Sequence, residues 1–403
     1  MIGSMLPSQR RRPKDRRAAI ALAAAELFCT RGFHNVGIED IARAVGISGP
    51  AIYRHFPTKQ ALLTAAVEEL VNGFAATVTS ATGDLDEAVR ALVRFTLNRR
   101  TVARLYQWEG RHLPDDERAR LAERFDSAVH TLRDLLLDTR PDLSKRDAAT
   151  LVTAALSVIA SPSTHRASLA RATAEHTIIT CARAVLATDL PAPQRTRPPD
   201  RQLTLLPRRE RLLVEAVRLF HERGYHAVSI ADIGEAAGIN ASSVYAHFAS
   251  KAELLAAAYH RATSRLELAA AGSLVDADTP VRALNRLVET YVRITFEHAD
   301  LAAVYVSESE NLPPADRHQL RVAQRRHIDT WVGLVAELGG GEPAAALRFR
   351  VHAALNVVTD LARSAGGSVT EARTASLMHC LLALPNEPDT TTPLGDRRRR
   401  TRW

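Results

Sequence analysis

The chain has 403 residues, 46% hydrophobic and 24% charged, a balance that suits a folded protein of two domains rather than a disordered or fibrous one. Its net charge of +8 sits at the ends: residues 1–17 carry six Lys or Arg against Asp15, and residues 395–403 five Arg against Asp396, so the remainder is near neutral. No run of about 18 apolar residues suits a membrane span, the amino terminus lacks an apolar signal core, and Cys29, Cys181 and Cys380 form neither a metal-ligand spacing nor a disulfide framework, so a cytoplasmic protein without metal or cofactor is expected.

Apolar residues fall at helical spacing almost throughout and alternating β-branched runs are absent, which predicts an all-α protein. Residues 1–13 read as a basic, disordered tail. Ile20, Ala24, Leu27 and Phe28 then form an i, i+4, i+7, i+8 stripe that buries one face of a first helix. Gly32 follows as a left-handed C′ residue, with Phe33 packing back. Ile38 and Ile41 anchor a second helix, and Gly46 ends it in a tight turn before Ile47. Ser48 is expected to cap a third helix, about residues 49–56, in which Pro50 is harmless because first-turn amides lack partners. Pro57 and Thr58 break and recap the chain before a fourth helix.

The same devices return one domain later. Shifted by 192 positions, 17 of the 36 pairs between Phe28–Leu63 and Phe220–Leu255 are identical. Leu212, Ala216, Leu219 and Phe220 repeat the stripe, Gly224 and Gly238 the turns, and Asn240 replaces Ser48 as a cap. Ser229 can cap the second helix of this copy, where the first has Gly37, so the first copy should fray slightly more. Residues 189–207 contain five prolines and read as an extended linker that reaches about 60 Å at roughly 3.1 Å per residue. Val89 to Leu92 recur as Val281 to Leu284; beyond residue 100 the offset becomes 199, marking a seven-residue insertion. Tyr106, Glu109, Leu113 and Pro114 then match Tyr305, Glu308, Leu312 and Pro313, and Cys181 matches Cys380. The duplication covers whole domains.

Each copy reads A-x-x-L-F-x-x-R-G-[FY]-x-x-V-x-I-x-D-I-[AG]-x-x-[AV]-G-[IV], followed by Y-x-H-F-x-x-K-x-x-L-L. Over about 60 residues in each half this resembles the tetracycline-repressor (TetR/AcrR-type) regulator family. The resemblance implies two TetR-like halves, each a three-helix helix-turn-helix head on a helical ligand-binding and dimerisation body. It also implies transcriptional control, usually repression relieved by a small molecule. The expected domains are heads at 14–74 and 207–266, bodies at 75–188 and 267–386, a Pro-rich linker at 189–206 and a basic tail at 387–403.

The expected partner is double-stranded DNA. Tyr53, His55, Tyr245 and His247 suit phosphate oxygens, or else fill the seam between the third and fourth helices. Lys59 and Lys251 begin a helix whose dipole disfavours a cation, which a nearby phosphate would explain. Gly49, Pro50, Ala51 and Arg54 face Ala241, Ser242, Ser243 and Ala246 as candidate readers, with the caps Ser48 and Asn240 counted among the DNA-binding residues; Arg54 suits either a guanine or a phosphate. Unlike heads predict an imperfectly palindromic operator. Arg10, Arg11, Arg12 and Lys14, ahead of the first helix, suit an adjacent minor groove.

The resemblance implies that the apolar C-terminal helices near 148–160 and 168–187 pack against those near 344–364 and 370–384, as an intramolecular pseudo-dimer or within a homodimer carrying four heads. Cys181 and Cys380 read as core rather than as a redox switch. The segment 108–116 offers His and Asp as if for a metal, but its counterpart keeps neither, and a helix break at Leu113-Pro114 accounts for it better. Tyr106, Trp108, Glu109, Tyr305 and Glu308 are the candidates to line a pocket for a hydrophobic small-molecule effector; a DNA-binding protein without effector is the alternative. No Gly-x-Ser-x-Gly, phosphate loop or paired metal ligands suggests an enzyme.

Overall fold

The computed structural model describes residues 13–81, 83–192, 206–275, 277–339, 341–364 and 369–383. Arg10, Arg11 and Arg12, most of the proline-rich linker and the carboxy-terminal basic tail lie outside the described residues. Among the described residues every regular element is a helix, in agreement with the all-α expectation.

The first half gives α1 (Pro13–Arg31), α2 (Ile38–Val45), α3 (Gly49–Tyr53), α4 (Lys59–Thr79), α5 (Leu85–Asn98), α6 (Leu105–Glu109), α7 (Asp115–Thr139), α8 (Lys145–Ala160) and α9 (Arg171–Leu186). The second gives α10 (Arg208–Arg223), α11 (Ile230–Ala236), α12 (Ala241–Tyr245), α13 (Lys251–Val275), α14 (Pro280–Glu297), α15 (Ala299–Glu308), α16 (Pro314–Glu337), α17 (Ala344–Arg363) and α18 (Glu371–Leu382). The insertion lengthens α14 and α15, of 18 and 10 residues against 14 and 5 in α5 and α6. Lys14 falls inside the first turn of α1, not ahead of it as expected.

Local chemistry accounts for the boundaries. Asp84, Ser144, Thr279 and Thr370 each accept an amide from the first turn of the helix they precede. The predicted break at Leu-Pro is present in both halves: Leu113 and Leu312 adopt extended backbone, ψ 149 and 146, because the following proline excludes helical geometry.

The chain divides into two compact units, residues 1–75 with 101–126, and residues 76–100 with 127–403. In the first unit, Ile20, Ala24 and Phe28 of α1 pack with Ile41, Ile52, Phe56, Leu62 and Val67, and Leu105, Leu113 and Leu121 extend this core. By length and composition α4 is apolar enough to cross a membrane, which the sequence reading missed because Glu68 and Glu69 interrupt the run. Leu62, Leu63, Ala66, Val67 and Val71 nevertheless bury one of its faces in the head core.

The second unit contains the whole second half together with α5, α8 and α9. Its head core repeats the first, with Leu212, Ala216, Phe220, Ile233, Val244, Phe248 and Leu254 joined by Leu301, Leu312 and Leu320. α17 is buried on most sides, Arg350 and Asn356 included, and packs against α18, α16, α15 and α14 of its own half and α8 and α9 of the other. Burial pushes the Cys181 thiol up to about 12, so it packs as a neutral group.

Candidate nucleic-acid interface

Each head is set by two glycine turns. Gly46 ends α2 in left-handed geometry, φ 69 and ψ 36, and lets the Ile47 amide donate back to the Ala42 carbonyl at 2.9 Å. Gly238 and the Ile239 amide reproduce this with Gly234. Gly224 has the expected positive φ of 81, but its ψ of 154 puts it in a region essentially reserved for glycine rather than in the left-handed helical well.

The caps differ between the copies. Ser229 accepts the Asp232 amide at 3.1 Å while the Asp232 carboxylate accepts the Ser229 amide at 2.7 Å. In the first head only the carboxylate half exists, Asp40 accepting from Gly37 at 3.0 Å. Asn240 caps α12 as expected, its side-chain oxygen accepting the Ser243 amide and the Ser242 hydroxyl, both at 2.8 Å. The expected Ser48 cap is corrected: its backbone is extended, φ −85 and ψ 153, but the hydroxyl accepts nothing from α3. Pro50 offers no amide there, and the Ala51 amide donates to the Ser48 carbonyl at 2.9 Å.

The third helices point one face in and one face out. Ile52 and Val244 are sealed in the head cores, while their neighbours Tyr53 and Tyr245 are 54% and 57% exposed. These phenols do not fill the seam to the fourth helix. Pro50, Arg54, Ser242, Ala246 and His247 are also exposed, and Ala51, His55, Ala241 and Ser243 half-buried. Gly49 is corrected from a groove-facing position to a buried one: a Cβ there would collide with the Glu39 carboxylate. The second head changes both partners, to Ala241 and Ala231. Two further charges, not singled out in the sequence, stand over the rings behind the third helices. The Arg17 guanidinium lies 4.7 Å from the Phe56 ring, and Arg209 4.8 Å from Phe248, and both side chains are exposed. The match of Arg17 and Arg209 at the 192 offset was the available signal.

Lys59 and Lys251 turn inward, which corrects their assignment to phosphate. Lys251 Nζ donates to the carbonyls of Tyr225 and Val228 at 2.6 and 2.7 Å and lies 4.2 Å from the Tyr225 ring centroid. Lys59 Nζ lies 4.3 Å from the Phe33 ring centroid. Burial lowers both lysine pKa values, against the opposing pull of Glu308 and Glu109.

Those two glutamates were expected in a ligand pocket, and the structure uses them elsewhere. Glu109, 4% exposed, accepts the Phe33 amide at 3.3 Å, and Glu308, 2% exposed, accepts the Tyr225 amide at 3.2 Å and the Asn311 side chain at 2.8 Å. Each carboxylate thus ties the turn after the first helix of its head to the helix break of its body. Tyr106 packs in the first core 5.8 Å from Phe125, and Tyr305 packs edge-on 5.2 Å from Tyr259 with its hydroxyl 3.3 Å from Gln324. Trp108 is half-buried on α6. Glu109, Glu308, Tyr106 and Tyr305 thus each have a hydrogen-bond or ring partner within the described residues.

Residues 20–66 and 212–258 match the family model of bacterial regulatory proteins, tetR family. The chain is similar to the HTH-type transcriptional regulator EthR of Mycolicibacterium smegmatis, 34% identical over 88 residues, 21% of this chain and 41% of that protein. It is also similar to the HTH-type transcriptional activator FasR of the same organism, 37% identical over 87 residues, 21% of this chain and 40% of that one. The chain thus spans about two fifths of the length of these curated relatives. Among solved structures it is similar to the ketosteroid transcriptional regulator KstR2 of Mycobacterium tuberculosis, with TM-score 0.41 and 20% identity over 44% of this chain and 95% of that chain. The TetR family transcriptional regulator PfmR of Thermus thermophilus gives a TM-score of 0.40 and 26% identity over 44% and 100%.

Proposed function

We propose, from a chain that belongs to the tetR family of bacterial regulatory proteins through a head in each half, that it is a cytoplasmic transcriptional regulator binding double-stranded DNA with both heads. The observation that carries this reading is the pair of outward phenols, Tyr53 and Tyr245, each on a short helix whose opposite face is sealed. Such a phenol suits a phosphate oxygen, with Arg54, His55, His247, Arg17 and Arg209 adding donors and charge. Base reading falls to Pro50 and Ala51 in one head and to Ser242 and Ser243 in the other, so the operator is imperfectly palindromic. The packing of α8 and α9 on α17 supports one chain acting as a pseudo-dimer.

Repression relieved by a hydrophobic small molecule is the control that the family resemblance implies. An effector-free regulator is the second reading, favoured by the engagement of Glu109 and Glu308 with the heads' own backbone. Ligand-induced change in Trp108 or Trp331 fluorescence, coupled to operator release, separates the two.

Footprinting on DNA upstream of the protein's own gene, with mass measured in solution, tests the main reading. It predicts one protected region per single chain, with unlike halves about one helical turn apart. Absence of protection overturns DNA binding, and protection that needs two chains overturns the pseudo-dimer.

A further inference from the structure

The helix pairs that join the halves meet at matched positions of the repeat. Asn356 of α17 donates through Nδ2 to the Ser157 carbonyl of α8 at 2.7 Å, and at the offset of 199 these two residues are the same position. A position that meets its own counterpart marks a two-fold axis, so the halves pack as subunits of an isologous dimer do. Every contact off that axis then has a symmetry-related copy.

One ion pair, its arginine buried and its carboxylate 24% exposed, breaks this rule. Arg373, in the first turn of α18 and only 3% exposed, pairs through Nη2 with Asp147 Oδ1 in the first turn of α8 at 2.6 Å. Its Nε donates to the Pro191 carbonyl at 2.8 Å. The symmetry-related positions are Ala174 and Ala346, both buried and apolar. A second asymmetry accompanies it: the His165 and His352 rings stack at 3.9 Å, whereas their counterparts are Ser364 and Thr153.

Pairing two first halves would set Asp147 opposite Ala174 twice. Pairing two second halves would bury two Arg373 guanidiniums opposite Ala346 with no carboxylate. Removing one partner of a buried charge pair is strongly destabilising, and an unpaired charge is an effective way to reject a partner. We infer that this interface is a recognition surface for the unlike half alone: α8 and α9 accept α17 and α18, and like-with-like pairing is excluded. This rests on the pseudo-dimer reading and adds to it the residues that enforce partner choice.

The test uses the full chain with a protease site placed within 193–205, followed by native mass spectrometry after cleavage. The two fragments differ in mass, so like and unlike pairs are distinguishable. The cut protein stays a one-to-one complex of unlike halves, and Asp147→Ala or Arg373→Ala weakens that complex by roughly a hundred-fold. In the Asp147→Ala, Arg373→Ala background, adding Ala174→Arg with Ala346→Asp moves the ion pair to its mirror place and restores association, which a misfolded variant would not do. Cleaved halves that re-sort into like pairs, or an ion pair whose loss and transplantation both leave association unchanged, overturn the inference. An uncut two-chain species that still yields unlike pairs after cleavage overturns the pseudo-dimer and supports the pairing rule.

Discussion

Replacing Glu308 by alanine separates a structural carboxylate from a pocket-lining one. The side chain is 2% exposed and accepts the Tyr225 amide at 3.2 Å and the Asn311 amide group at 2.8 Å, while its charge favours protonated Lys251. Deleting it orphans donors at a buried site and removes a counter-charge; a lost hydrogen bond to a charged acceptor is worth about 1.5–3 kcal/mol, so the expected destabilisation is about 3 kcal/mol. At roughly 2–4 °C per kcal/mol for a unit of this size, Tm falls by about 6–12 °C. Glu308→Gln keeps an acceptor oxygen but not the charge, and is expected to lose about half as much. Urea unfolding followed by circular dichroism reads both values. A carboxylate facing an empty pocket predicts the opposite pattern, unchanged stability with altered ligand response. An alanine variant within about 0.5 kcal/mol of the parent would refute the assignment of Glu308 to the head-to-body tie.

The copies also predict unequal responses at matched caps: Asn240→Ala should cost about 1 kcal/mol in thermal or urea unfolding, and Ser48→Ala almost nothing, because only Asn240 accepts an amide. Burial, then neighbouring charge, pushes His165 down to about 2 and His352 down to about 4. Both rings stay neutral when folded and take up protons when unfolded, so stability is full above pH 6.5 and falls as pH drops towards 4, by about 1 kcal/mol per pH unit for each ring. His352→Thr, the residue found at its counterpart Thr153, should remove one ring's share of that slope between pH 7 and 4.5. Lys251→Met should lower stability while leaving the salt dependence of operator binding unchanged, whereas Arg209→Gln should reduce the slope of log K against log salt by about 1. An equal loss of slope in both variants would return Lys251 to the phosphate backbone.

The heads were legible because their determinants are local. A stripe of four apolar residues and a glycine at positive φ act within a turn or two, and each was written twice, as at Gly46 and Gly238, whereas the side-chain cap of the third helix is made only by Asn240. The misreadings share a different cause. Lys251 and Glu308 find their partners across 26 and 83 residues of chain, and no spacing rule connects a lysine to the carbonyls of Tyr225 and Val228 or a glutamate to the Tyr225 amide. A carboxylate beside aromatic residues looks the same in sequence whether it faces a cavity or a buried amide. What the sequence did carry was the matching itself, since Lys59 with Lys251 and Glu109 with Glu308 persist in both halves. Identity between the halves therefore reports what both halves need alike: a core, a turn, a tie from head to body, or, on the proposed reading, a phosphate contact such as Tyr53 with Tyr245. Differences report what each half does to something else. Glu39 with Gly49 against Ala231 with Ala241 reshapes the base of the third helix, and Asp147 with Arg373 against Ala346 with Ala174 orients one half toward the other. On the proposed reading, the residues exposed beside Tyr53 and Tyr245, such as Pro50 and Arg54 against Ser242 and Ala246, are the ones expected to tell two dissimilar half-sites apart.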